Sequence, residues 1–249
     1  MNLAKNYYKL SHDASLKIDN HLGLKLLKLY CEKSKKILDV GCGEGTRLSL
    51  FTPRKSHGFG IDASPEAVKL ANKQFPKLKI SLGQGEKLPY QSNYFDLVYS
   101  AFSIEHCQNP EDFISEMIRV CKPKGRIIII SPNFGAPSRR SPNSVQDPYQ
   151  KFVEGLIKDI FPYPGLGWTQ VTPKSSYTRI DADTTWEPYL HSIIEFLKIK
   201  NIAIDKYSSL WDLEPKTDLF RQNILKFLGK LEIWPVKYWG PQLFISGVK

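Results

Sequence analysis

The sequence is poor in the features that mark secreted, membrane-spanning or metal-built proteins. No uninterrupted apolar run reaches the length that crosses a bilayer. Residues 1 to 10 hold no signal-peptide apolar core. Cys31, Cys42, Cys107 and Cys121 form no C-x-x-C pair and read as reduced thiols of a cytoplasmic protein. Neither these cysteines nor the histidines have metal-ligand spacing, so no metal is expected. There is no internal repeat and no low-complexity tract. Acidic residues are outnumbered, 25 against 35 Lys and Arg, which leaves a formal net charge of +10. That charge suits acidic partners, whether nucleic acid, a phosphorylated substrate or an anionic membrane surface. It is equally the signature of a lysine-rich solvated surface. At 249 residues the chain can bury one large core.

What is present is concentrated between Lys36 and Ser131. Ile37, Leu38 and Val40 read as a buried strand, with Asp39 two residues before Gly41. Gly41, Gly43 and Gly45 then alternate with Cys42 and Glu44 before Leu48, Leu50 and Phe51 open a helix. Glycine allows a sharp turn and lets a ligand approach bare peptide N–H groups. The dinucleotide fingerprint G-x-G-x-x-G is not matched, because Thr46 occupies its third glycine position. A second strand ends in Asp62-Ala63, separated from Gly45 by about one crossover helix and its turns. A carboxylate at that strand end can accept both ribose hydroxyls of a nucleoside. Ser64-Pro65-Glu66 has the cap, first-turn proline and acid of a helix start.

Leu78 to Leu82 reads as a third strand, followed by Gly83-Gln84-Gly85-Glu86-Lys87-Leu88-Pro89-Tyr90. Phe95 to Ser100 is a fourth strand, left by Ala101-Phe102-Ser103-Ile104-Glu105-His106. Asn109-Pro110-Glu111-Asp112 starts a helix, Cys121 to Gly125 reads as a turn, and Arg126 to Ser131 is a strand apolar on both faces. The acid-x-Gly-x-Gly-x-Gly run and the motifs in order after it resemble the class I S-adenosylmethionine-dependent methyltransferases, close to the quinone- and glycan-methylating group, over about residues 36 to 131.

The resemblance implies an α/β fold: a Rossmann-like, doubly wound, seven-stranded sheet, mostly parallel, with an antiparallel last strand and helices on both faces. It implies S-adenosylmethionine as cofactor and S-adenosylhomocysteine as product. Carried over residue by residue, it assigns cofactor binding to Asp39, Gly41, Cys42, Gly43, Gly45, Asp62, Ala63, Gln84, Gly85, Glu86 and Ser100. Gln84 stands where the family usually has an acid on the adenine amino group, and its amide oxygen can still accept that bond. His106 is the first candidate base and Glu105 the second.

Residues 1 to 249 read as a single domain with three additions. Residues 1 to 34 form an N-terminal helical cap, with Tyr7 and Tyr8 near the ligand or in plain packing. Residues 132 to 186 are a proline-rich, substrate-facing loop or lid, with a short helix over Lys151 to Ile160 and the pair Arg139-Arg140 as an anion clamp or solvated surface. Trp186 begins a helix that runs to about Ile199; Ile202 to Tyr207 and Gln242 to Val248 are strands. Residues 208 to 240 are a basic amphipathic insertion, whose Leu219, Phe220, Ile224, Phe227, Leu228 and Leu231 pack on the domain, form a dimer face or rest on a membrane.

The expected activity is methyl transfer to a small-molecule, sugar or lipid-linked acceptor, with a place in cell-surface glycan assembly as the finer reading. A tRNA-modifying methyltransferase and a non-catalytic nucleoside-binding scaffold are the alternatives. No Asn/Asp-Pro-Pro-Tyr/Phe run follows the fourth strand, which disfavours methylation of exocyclic base amines. The expected location is cytoplasmic, at the inner face of a membrane where the basic insertion touches it.

Overall fold

A computed structural model describes residues 21–161, 164–173, 183–215 and 217–249. Tyr7, Tyr8 and Lys216 lie outside the described residues. The chain runs α1 (Leu22–Cys31), β1 (Lys36–Val40), α2 (Thr46–Phe51), β2 (His57–Asp62), α3 (Pro65–Gln74), β3 (Lys79–Leu82) and β4 (Phe95–Ala101). It continues through α4 (Pro110–Val120), β5 (Cys121–Pro132), α5 (Pro148–Ile160), β6 (Thr169–Gln170), β7 (Trp186–Glu187), α6 (Leu190–Ile199), β8 (Ala203–Ser208), α7 (Phe220–Lys230) and β9 (Gln242–Val248).

Seven strands form one sheet in the order β3-β2-β1-β4-β5-β9-β8. β1 to β5 are parallel, and β9 lies antiparallel between β5 and β8. Period-two alternation sends side chains to opposite faces. Leu38, Val40, Val98, Ile127 and Ile129 pack with α4 and α6 on one side. Ile37, Leu97, Tyr99, Ile128 and Ile130 pack with α1 and α2 on the other. Helix starts follow the capping chemistry of the sequence. Ser64 accepts from the Ala67 N–H at 3.3 Å, and Asn109 accepts from the N–H groups of Glu111 and Asp112 at 3.0 and 3.2 Å.

Two sequence expectations are corrected. Cys121 to Gly125 is not a separate turn but the start of β5: Cys121 pairs with Phe95, and the register shifts before Leu97 meets Arg126. Trp186 to Tyr189 is not helical. Trp186 and Glu187 pair in extended form with Gln170 and Thr169, and α6 begins only at Leu190.

The described part of the segment after β5 is a packed layer rather than a free loop. Asp159 on α5 is buried and accepts from Tyr189 Oη at 2.5 Å, Trp239 Nε1 at 2.9 Å and His191 Nδ1 at 2.9 Å. Lys151, also on α5, bonds the fully buried Glu187 carboxylate and donates to the Phe134 carbonyl at 2.8 Å. Asn133 donates to the carbonyls of Tyr238 and Gly240 at 2.7 and 2.8 Å and accepts from the Leu190 N–H at 3.0 Å. These bonds tie the insertion to the turn that enters β9. Asp159→Ala would leave three buried polar groups without their acceptor, and should lower stability by about 3 kcal/mol, read by urea denaturation.

Candidate active site

Strand order reverses between β1 and β4, and ligands of open α/β sheets bind beyond the strand ends at such a point. The glycine turn leaves β1 there. Gly41, Gly43 and Gly45 have φ of +80°, +54° and +80°, a region that L side chains enter at a cost. The N–H groups of Gly41 and Cys42 bond the Ile61 carbonyl at 2.8 and 3.1 Å, which locks the turn onto β2. A Cβ at Gly41 would stand 1.7 Å from Ser103 Oγ, whereas one at Gly43 would meet no described residue within 4 Å. Gly41 is therefore required by packing, and among the described residues Gly43 faces open space.

Asp62 ends β2 beside this turn. Its carboxylate accepts from the Gly43 N–H at 2.7 Å and from the Ser64 N–H at 2.9 Å. Burial pushes its pKa up, and those two N–H groups pull it back. Ala63 is exposed at the rim. Cys42 packs its sulfur towards Gly60, and burial raises its thiol pKa well above the ordinary value, so it serves the turn rather than thiol chemistry.

Asp39 is the most unusual group. Register places it opposite Tyr99, and both side chains are fully buried. The Tyr99 hydroxyl stands beside the Asp39 carboxylate and eases its charge; among the described residues no other side chain or backbone group hydrogen-bonds either of them. Burial lifts the Asp39 pKa to about 7, against the opposing pull of the Arg47 cation and Tyr99. Arg47 itself donates to the Ala101 carbonyl at 2.8 Å. Ser100, next to Tyr99, is also fully buried with its hydroxyl unpartnered among the described residues.

The remaining expected residues separate into different settings. Gln84 is exposed. Gly85 makes room for Phe113, since a Cβ there would lie 2.1 Å from the ring. Glu86 accepts from the Gln108 and Asn109 N–H groups at 2.6 and 3.2 Å and braces the loop before α4. His106 sits on a short 3-10 turn, Ile104–His106. Its side chain is 25% exposed, with Nε2 3.8 Å from Glu105 and Nδ1 3.6 Å from Asp183. Glu105 is fully buried and accepts from Ser131 Oγ at 2.9 Å, so this second candidate base faces inward. The far end of the insertion returns over this turn: the Thr185 hydroxyl and Trp186 Nε1 donate to the Cys107 carbonyl at 3.2 and 3.1 Å. Sequence reasoning missed Arg47 and Tyr99. An arginine in a helix's first turn opposes the helix dipole, which is the one local sign that it answers to another charge.

A family profile described as a methyltransferase domain matches residues 38–129. The chain carries a class I methyltransferase domain. The cofactor of that family is S-adenosylmethionine. The domain is 40% identical over 120 residues to norajmaline N-methyltransferase of Rauvolfia serpentina, covering 43% of this chain and 40% of that protein. It is 32% identical over 136 residues to demethylmenaquinone methyltransferase of Chlorobaculum tepidum, covering 52% of this chain and 56% of that one. The chain thus spans about half the length, or less, of these curated relatives. The fold matches the crystal structure of the YcgJ protein from Bacillus subtilis with a TM-score of 0.57 at 18% identity, over 92% of this chain and 98% of that one. Among the described residues no group of His, Cys, Asp or Glu is placed to hold a metal, and no helix is long and apolar enough to cross a membrane.

The methyltransferase domain fits its cofactor at two points that belong to this structure. Among the described residues the space over Gly43 is open, and the Asp39 carboxylate is buried with the Tyr99 hydroxyl and the Arg47 cation easing its charge only in part. Because Asp39 holds its proton more tightly folded than unfolded, its contribution to stability is full below about pH 4 and is lost as the pH rises through about 7. Asp39→Asn should therefore stabilise the ligand-free protein by roughly 2 kcal/mol at pH 8 and flatten its stability between pH 4 and 7, while weakening S-adenosylmethionine binding. Thermal melts across pH and calorimetry check the pair of effects. Gly43→Ala should cost the fold only about 1 kcal/mol, yet weaken binding at least about tenfold, because its methyl group projects into the open space.

Proposed function

We propose that this protein transfers a methyl group from S-adenosylmethionine to a small-molecule acceptor of the sugar-linked or lipid-linked class. The observation that carries the reading is the glycine turn at the strand-order reversal, open over Gly43, with Asp62 held at its side. Asp62 keeps lone pairs free for ribose hydroxyls after its two backbone bonds. Asp39 would face the cationic end of the cofactor, whose positive charge would add to the partial compensation from Arg47. Gln84, exposed just after β3, would accept from an adenine amino group. The cofactor brings a methyl group already activated by its sulfonium, so the protein's work is alignment and, for an oxygen or carbon acceptor, proton removal. His106 is the group for that proton, with Glu105 and Asp183 on either side to steady the imidazolium it becomes.

A cleft of about 490 Å³ lies between the two insertions, lined by Arg139, Arg140, Lys151, Trp211, Phe220 and Arg221 among others. No residue of the glycine turn lines it. Arg139 and Lys151 are already bonded to Glu214 and Glu187. Among the described residues Arg140 bonds a backbone carbonyl, that of Ser144 at 3.2 Å, and Arg221 lies over the Phe152 ring. Two cations beside aromatic walls suit an acceptor with one anionic and one apolar part. Intermediates of cell-surface glycan assembly have that chemistry, and the compartment that goes with them is the cytoplasm at the inner face of a membrane. The curated relatives, named for an alkaloid and a quinone, support a small organic acceptor.

Calorimetric titration with S-adenosylmethionine, with NADH as control, tests the cofactor. Binding of the first alone, weakened at least about tenfold by Asp62→Ala, is the expected result; a folded protein that binds neither would sink the reading. With labelled methyl groups traced into lipid, glycan and RNA fractions, His106→Gln should lower kcat about a hundredfold while leaving cofactor affinity unchanged. Label confined to RNA would move the assignment to tRNA modification.

A further inference from the structure

α7 presents two apolar faces, and the fold uses only one. On the inner side Gly229 lies against the Trp211 indole, where a Cβ would stand 1.9 Å from Nε1. Leu225 and Leu228 pack on the main core, and Lys226 donates to the Glu214 carbonyl at 2.9 Å. Gly229 is the single buried residue of the helix's eleven. The outer side carries Phe220, Ile224, Phe227 and Leu231 at 79%, 40%, 63% and 55% exposure. Their spacing puts them in one row along the helix. Ile233 and Trp234 extend the row at 47% and 53% exposure. Isolated exposed apolar residues are ordinary, but a continuous row of this length is the mark of a surface that meets something.

Charge decides what it meets. Arg221 and Lys230 are exposed on the same helix, Lys226 and Lys237 are half-buried, and the whole chain is strongly basic. The acids nearby are Asp218, Glu232 and Asp212, the last paired with Lys230 at 2.5 Å. A second copy of the chain, meeting this face through a two-fold axis, would bring the same cations together. A bilayer with anionic headgroups would take the apolar row into its interface and the cations at its surface, with Trp234 at the level where indoles settle.

We infer that the outer face of α7, with Ile233 and Trp234, docks this protein on an anionic lipid bilayer. Phe220 and Arg221 belong both to this face and to the rim of the cleft. Docking therefore sets the cleft mouth at the headgroup layer, where a lipid-linked acceptor presents its polar end. The surface stands without the methyltransferase reading; only its use for the acceptor rests on it.

The test is co-sedimentation of the full chain with phosphatidylcholine vesicles, with and without phosphatidylglycerol, at low and high salt. Binding to the anionic vesicles at low salt, reduced by salt and by Lys230→Glu, is expected. The double variant Phe227→Ser/Leu231→Ser should lower the partition at least about tenfold with its thermal melt and S-adenosylmethionine affinity unchanged, since neither residue reaches the glycine turn. Cofactor binding without vesicle binding would overturn this proposal and leave the enzymatic reading standing. Equal binding to vesicles without phosphatidylglycerol, or an unaffected double variant, would also overturn it. So would a concentration-dependent dimer that the double variant abolishes while vesicles remain unbound.

Discussion

The site depends on a carboxylate held out of water in the middle of a sheet. β1 and β4 are parallel neighbours, and their register sets Asp39 beside Tyr99 on the face that packs against α1 and α2. Sliding β1 by one residue would turn that carboxylate to the opposite face, and sliding β4 would turn Tyr99 away from it. The cost of burying it is eased by Arg47 and Tyr99 without being cancelled, which is why its proton is held up to about pH 7. Functional sites keep such unfavourable groups when a ligand supplies what the protein withholds. The glycine turn, the Asp62 carboxylate and the buried Ser100 are arranged around the same strand ends.

Local pattern made much of this legible. The glycine run, the acid at the end of β2 and the capped starts of α3 and α4 are short-range signals, each written in a few consecutive residues. The seven-stranded, mostly parallel sheet with its antiparallel last strand followed from the family resemblance and agrees with the sheet observed. What could not be read was pairwise and distant. Arg47 matters because β1 and β4 bring Asp39 within its field. Gly85 looked like part of a ligand loop, but its bareness is set by the Phe113 ring from α4. Trp186 looked like a helix start until its partner Gln170 was known. For α7 the periodicity was plain, yet two apolar faces share one helix, and only packing shows that Leu225 and Leu228 are the inner ones.

The insertions turn out to be part of the body. Asp159, Lys151 and Asn133 fix the chain after β5 to α6 and to the turn before β9, through buried bonds that a swinging lid would have to break. Arg140 and Arg221, which those bonds do not engage, lie at the cleft between the two insertions, whose walls the buried network holds in place.

The position of β9 also governs how the chain can be made. β9 follows every other strand in sequence, yet it lies inside the sheet, between β5 and β8. Until Gln242 to Val248 have been synthesised, β5 lacks one neighbour and β8 lacks the one it has among the described residues. During translation the completed β1–β5 half would therefore wait with a long, isoleucine-rich edge open to pairing with other chains. A chain stopped before Gln242 would not be a shorter methyltransferase domain but an aggregation seed, and nascent copies depend on the speed with which that single strand arrives.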